Sequence, residues 1–167
     1  YDVVVLGAGL SGICAAWYLR REGYRFIVLD RRGDIGGMWA EMRFPGLRTD
    51  TAAPLYGYSF HPCPQSKRLM PTRAELLSYF SEVVDTYDLR KYMVFDQHVL
   101  SAHFDSLNAS WTLTSSSGRN FQGRHLMNCM GYFDLKKPCI PDLPHMDRFK
   151  GKTVHAYSWT DDIEYAN

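Results

Sequence analysis

Paired or clustered cysteines, one-sided charge and long apolar runs are all lacking in this 167-residue chain, and each absence closes off a class of function. The four cysteines, Cys14, Cys63, Cys129 and Cys139, show neither metal-ligand spacing nor a C-x-x-C pair, so no metal site is expected. Isolated thiols of this kind read as small buried hydrophobes and suit a reducing compartment, which points to the cytoplasm. Nineteen basic residues against 18 acidic ones leave no charge surplus to grip nucleic acid. No apolar run approaches a membrane span, and no signal-peptide pattern opens the chain. There is no internal repeat and no low-complexity tract. The length suits one domain burying roughly 70% of the surface its unfolded form exposes.

The first thirty residues carry the strongest pattern. "DVVVLGAGLSGICAAWYLRREGYRFIVLD" reads as strand, glycine turn, helix, glycine stop and strand. Asp2 to Leu6 and Phe26 to Leu29 are continuous apolar runs, as expected for strands buried on both faces. Ile13 to Arg21 has no breaker, and Gly23 ends the helix. A long loop follows, including the Pro-rich stretch "HPCPQSKRLMP". Thr72 and Glu75 then form a capping box just after Pro71, and Leu76, Leu77, Phe80, Val83, Val84 and Tyr87 recur at helical spacing, predicting a helix over 72–87. Residues 94–130 read as a β-meander, with a turn at Ser106–Ala109 and a last strand from His125 to Met130. The expected fold is α/β, a three-layer Rossmann-like nucleotide-binding domain with an inserted antiparallel β-meander.

Gly7, Gly9 and Gly12 place G-x-G-x-x-G between the first strand and the helix. The motif asks for a tight turn at Gly7, a close approach of backbone to a pyrophosphate at Gly9, and close helix–strand packing at Gly12. Free N–H groups around Ser11 and Gly12 would face the phosphates. Asp30 lies 18 residues after Gly12, at the end of the second strand, where a carboxylate grips ribose hydroxyls. Arg31 and Arg32 raise the alternative of a 2′-phosphate. Asp30 would repel it, so FAD or NAD is favoured over NADP at this turn. The arginines read equally well as solvated charges past a strand end.

The stretch "GGMWAEMRFPGLRTD", residues 36–50, separates the possible flavin folds. No cysteine stands between Cys14 and Cys63, which excludes the dithiol route of the flavin disulfide reductases. Gly36, Gly37, Trp39, Phe44, Pro45, Gly46 and Asp50 instead match [A/G]GxW, four residues, [F/Y]P[G/M], three residues, D. This resembles the long fingerprint of the type I Baeyer–Villiger monooxygenases. Phe149, Gly151, His155 and Trp159 match that family's FxGxxxHxxxW, with Ala156 and Thr160 departing from its usual neighbours. The related flavin-containing N/S-monooxygenases share the histidine pattern but usually end it with tyrosine. "NCMG" is similar to the ATG-type segment of these flavoproteins, with Cys129 and Met130 in place of Ala-Thr.

The resemblance implies an FAD-binding domain over residues 1–147 and an interdomain linker over 148–167 that carries the histidine motif. The chain opens on Tyr1 and holds no second G-x-G-x-x-G, so a piece of a longer protein is expected. The NADPH domain and the C-terminal flavin segment would lie outside it, and the piece alone should not turn over. FAD contacts are implied for Gly7, Gly9, Ser11, Gly12, Asp30, Arg31, Gly36, Gly37, Met38, Trp39, Asp50, Tyr56 and Val99. Asp50 and Arg48 are the implied catalytic residues, Asp50 orienting an arginine brought by the NADPH domain. Arg48 with Asp50 also reads as a local ion pair of the turn, and His155 as a hydrogen-bonded structural histidine. The implied reaction uses NADPH and O2, forms a flavin C4a-peroxide, and inserts oxygen beside a ketone carbonyl to give an ester or lactone. Alternatives are N- or S-oxygenation and, in another class, an FAD-binding module without oxygen chemistry.

Overall fold

An uninterrupted apolar strand needs cover on both faces, and the two strands at the start of this chain receive it. The computed structural model describes residues 1–63, 69–133 and 138–164. Part of the Pro-rich stretch (64–68), residues 134–137 and part of the expected linker (165–167) lie outside the described residues. Strand β1 (Val3–Leu6), helix α1 (Leu10–Arg21) and strand β2 (Phe26–Leu29) form the opening unit. Short helices α2 (Met38–Glu41) and α3 (Ala53–Tyr56) punctuate the loop, and α4 (Arg73–Thr86) closes it. Strands β3 (Met93–Val94), β4 (Val99–Asp105), β5 (Ser110–Ser115), β6 (Asn120–Gly123) and β7 (His125–Asn128) follow.

Four strands make a parallel sheet in the order β3-β2-β1-β7, and β4-β5-β6 make a separate antiparallel sheet. The alternation of side chains along a strand decides the layers. Val3, Val5, Phe26 and Val28 pack with Ile13, Ala16, Phe80 and Val83 on the helical side. Val4, Leu6, Ile27 and Leu29 pack with Leu113 and Phe121 of the antiparallel sheet. The three-layer α/β expectation therefore holds.

The meander is shorter than the sequence pattern suggests. It spans β4 to β6, whereas Val94 sits in β3 beside β2, and His125–Asn128 pair in parallel with Val3–Leu6 of β1. Packing sets the break at Gly123: a Cβ there would stand 2.9 Å from Val4 Cγ2, so the end of β6 lies directly on the parallel sheet. The His125 N–H then donates to Asp2 O at 3.0 Å, and the chain has changed sheets.

Helix α4 begins as the capping box requires. The Thr72 hydroxyl accepts from the Glu75 N–H at 3.3 Å, and the Glu75 carboxylate accepts from the Thr72 N–H at 2.8 Å. Its buried face is Leu76, Tyr79, Phe80, Val83 and Val84; Leu77 and Tyr87 are only partly covered. Thr72→Ala should remove about 1 kcal/mol of stability. In a thermal melt that is a fall of roughly 2–4 °C for a chain of this size, whereas Thr72→Ser should melt near wild type.

Candidate functional site

Two glycine-rich turns meet at the carboxyl ends of β1 and β2, where open α/β sheets place their ligand crevices. Gly7 takes a φ of +108°. Gly12 packs so closely that a Cβ would lie 1.8 Å from Gly7 O. The Gly36 N–H donates to Ala8 O at 3.0 Å, which ties the second turn to the first. Gly37 completes the contact, its φ being +54° and a Cβ there standing 3.0 Å from Gly9 Cα. Gly9 caps α1 without any side-chain hydrogen bond. The first N–H groups of that twelve-residue helix have no intrahelical partner and carry the positive end of its dipole.

These turns floor a cleft of about 820 Å³. Gly7, Gly9 and Ser11 line it from the first turn, and Gly36, Gly37, Met38 and Trp39 from the second. Asp30, Arg31, Tyr56 and Val99 line it too. Gly12 sits beneath the turn, off the lining, where it brings α1 against β1. Arg48 and Asp50 do not line the cleft. Both are exposed, Arg48 Nε reaching Gly46 O at 3.4 Å and Asp50 Oδ1 accepting from the Thr51 hydroxyl at 3.3 Å. Among the described residues no ion pair joins the two. Their loop is anchored instead by backbone: the Thr49 N–H donates to Pro71 O, and the Arg73 N–H to Leu47 O.

Asp30 is buried, at 7% exposure, and two backbone amides already hold its carboxylate. The Ala8 N–H donates to Oδ2 at 2.6 Å and the Arg32 N–H to Oδ1 at 2.8 Å. Asp30 thus shapes the glycine turn as well as facing the cleft. Asp30→Ala should leave both N–H groups without that acceptor, at about 1–3 kcal/mol each where water cannot replace it. The expected result is a lower melting temperature together with weaker flavin retention, read by thermal unfolding and by flavin occupancy after gel filtration. Unchanged occupancy would show that Asp30 serves the turn alone.

Trp39 is held by its indole N–H, which donates to the Tyr56 hydroxyl at 2.7 Å. Burial pushes the Tyr56 phenol above its usual pKa, the Trp39 bond opposes this, and the nearby negative charge of Asp50 adds to the rise. Asp50 is thus within electrostatic reach of Tyr56 while remaining open to solvent. The next turn locks Tyr56 in place: the Tyr58 N–H donates to the Tyr79 hydroxyl, and the Tyr58 hydroxyl to Leu10 O, both at 2.7 Å.

Several residues of the site carry no motif signal. Glu41 pairs with Arg32 in close contact and with Arg31 at 3.7 Å. Arg73 donates from Nε to Trp39 O at 2.7 Å and from Nη2 to Ala40 O at 3.2 Å, fixing α2 in place. Gln97 is 7% exposed, its amide nitrogen held by Phe95 O and Asp96 O while its Oε1 has no partner. The Arg32 Nε–H is likewise buried and unpaired. Such orphaned groups call for a ligand or an ordered water. Bare-backbone glycines, open helix N–H groups, a carboxylate and unpaired polar atoms on one wall fit an ADP-containing dinucleotide.

The histidine-motif residues do not line the cleft, although Tyr157 within that segment meets the ring of the lining residue Phe133 edge-on at 5.7 Å. The Phe149 ring folds over Gly151, and His155 Nδ1 accepts from the Tyr157 N–H at 3.2 Å. Trp159 lies on the same segment, partly exposed. Burial pushes the Cys14, Cys63 and Cys129 thiols up, which disfavours the thiolate, and Cys139 is exposed. Among the described residues no cluster could hold a metal ion, and no helix is long and apolar enough to cross a membrane.

Fold and cleft together define a dinucleotide-binding domain of the three-layer Rossmann-like class. In keeping with this, the family model of the NAD(P)-binding Rossmann-like domain matches residues 5–71. A probable FAD-binding monooxygenase AlmA of Acinetobacter baylyi is 32% identical over 98% of this chain and 34% of its own length. A Baeyer–Villiger monooxygenase of Streptomyces coelicolor is 34% identical over 98% of this chain and 31% of its own. Among solved structures, an oxidized steroid monooxygenase bound to NADP superposes with a TM-score of 0.81 at 33% identity, over 97% of this chain and 32% of that one. The chain thus spans about a third of the length of the relatives it matches. Over that third it is similar to flavin monooxygenases in both sequence and fold.

Proposed function

We propose that residues 1–147 bind FAD in the cleft described above and that 148–167 link this domain to an NADPH-binding one. The whole protein is then an NADPH- and O2-dependent monooxygenase acting on a ketone to give an ester or lactone, and this part alone does not turn over. The observation that carries the reading is the junction of the two glycine turns, where the Gly36 N–H meets Ala8 O and Gly37 meets Gly9 above the open end of α1. Backbone packed so tightly leaves a pyrophosphate free access to the helix N–H groups.

In this reading the α1 amides hold the pyrophosphate, and Asp30 receives the adenosine ribose. Trp39, set by Tyr56, walls the ring end. The flavin supplies hydride acceptance and oxygen activation when bound. Asp50 orients a cationic side chain delivered by the second domain and so lowers the cost of burying that charge. The half-buried free thiols favour a reducing compartment such as the cytoplasm. Titration of flavin-free full-length protein with FAD, followed by flavin fluorescence, tests the cofactor assignment; failure to bind FAD would sink it.

Heteroatom oxygenation is the second reading. A phenazine N-monooxygenase of Lysobacter antibioticus is 34% identical over 98% of this chain and 31% of its own length. Product analysis with a ketone and a thioether separates the two. Lactone or ester formation supports the first, and N- or S-oxide alone supports the second.

A further inference from the structure

Two arginines stand immediately after β2, where Rossmann-type sites for NADP place an arginine to receive the 2′-phosphate. Both line the cleft, and so does Glu41 from α2 on the opposite lip. The Glu41 carboxylate takes Arg32 in close contact and Arg31 at 3.7 Å, bridging the two lips. Asp30, directly before the two arginines in sequence, has its carboxylate turned to backbone amides. Two positive and two negative side chains therefore balance at this end of the cleft. Among the described residues, one buried donor at this end has no partner, the Arg32 Nε–H.

We propose that Glu41 is the specificity residue that keeps 2′-phosphorylated dinucleotides out of the flavin cleft. The inference rests on the reading of this cleft as the FAD site. FAD and NADPH both carry an adenosine diphosphate and differ there at the 2′ position, so a protein using both must stop the second from occupying the site of the first. Asp30 alone does so poorly with two guanidinium groups beside it, because bidentate arginine–phosphate pairs are among the strongest charge-assisted contacts. By taking the Arg32 guanidinium in a hydrogen bond and standing 3.7 Å from that of Arg31, Glu41 competes for the fork a 2′-phosphate would use. A ribose hydroxyl needs no such fork, so FAD is unaffected.

The test uses the full-length protein stripped of flavin. FAD rebinding is followed by flavin fluorescence, with 5′-ADP, 5′-AMP or 2′,5′-ADP as competitor. In the wild type 5′-ADP should compete, and 2′,5′-ADP should compete less than 5′-AMP, which differs from it only in lacking the 2′-phosphate. In Glu41→Gln the inhibition constant of 2′,5′-ADP should fall roughly 10- to 100-fold, the range expected for newly available hydrogen bonds to a charged group. FAD and 5′-ADP should shift less than about threefold. Glu41→Met is measured alongside, so that one poorly folded variant, recognised by lost 5′-ADP binding, does not decide the outcome. Adding Arg32→Gln to Glu41→Gln should abolish the gain, and raising the salt should shrink it. If both Glu41 variants keep 5′-ADP affinity and gain none for 2′,5′-ADP, the inference is wrong and the FAD site stands. If the wild type binds neither FAD nor 5′-ADP, the cleft assignment falls, and this inference with it.

Discussion

Gly12→Ala is expected to leave the protein unable to hold FAD. The added methyl would sit 1.8 Å from Gly7 O and 2.9 Å from Gly7 C, both backbone atoms that cannot rotate away. Relief requires α1 to move off β1, and Gly7 has no room to follow. A Cβ there would already lie 2.4 Å from Cys129 O, so the turn is pinned against the end of β7 as well. Overpacking of this kind costs about 1–3 kcal/mol or more, and the displaced helix start no longer presents its amides to the pyrophosphate. Flavin affinity should fall at least 100-fold, which is about 2.7 kcal/mol, with a lower melting temperature. Gly118→Ala is the control, because a Cβ there meets nothing within 4 Å, and only its φ of +79° opposes the change. It should cost some stability and leave FAD binding intact. An unchanged FAD dissociation constant in Gly12→Ala would mean that the cleft is not the flavin site.

Asp50→Ala should do the reverse: keep the flavin and lose the chemistry. Asp50 is exposed, lies off the cleft lining and among the described residues engages the Thr51 hydroxyl, so its removal should change stability by no more than about 0.5 kcal/mol. FAD occupancy should stay at the wild-type level. Turnover should nevertheless fall roughly 100- to 1000-fold, the effect of losing a preorganised group that sets transition-state electrostatics. The physical ground is the unspent capacity of the carboxylate within electrostatic reach of Tyr56, a place open to a cationic partner from a second domain. Stopped-flow measurement of flavin reduction by NADPH and of reoxidation by O2 is the check. Wild-type rates in both half-reactions would leave Asp50 as a loop residue only.

Much of the fold was legible because it rests on short-range rules. Continuous apolar runs at residues 3–6 and 26–29 predict strands covered on both faces, and the structure covers both. The Thr72–Glu75 pair marks the start of α4 to the residue. Tyr79, fully packed in that helix, was not legible: a phenol can be core or surface, and only its hydroxyl partners around residue 58 make it core. The split between β6 and β7 escaped the pattern for a related reason. Both strands are four residues long with mixed polarity, so periodicity cannot say which sheet each joins.

The site divides along the same line. By itself the sequence determined the glycine turn, the acidic residue after the second strand and the second loop of glycines, tryptophan and aspartate, because each is a run of neighbours with its own backbone demands. Only the tertiary structure decided that the two glycine turns touch at Gly9 and Gly37. It also decided that Asp30 is engaged by Ala8 and Arg32, that Glu41 takes both arginines, and that Arg48 and Asp50 do not pair. Local propensities and motif spacings act over a few residues. Charge partners and close approaches depend on which distant loops share a wall, and burial of the apolar faces on either side of the parallel sheet settles that.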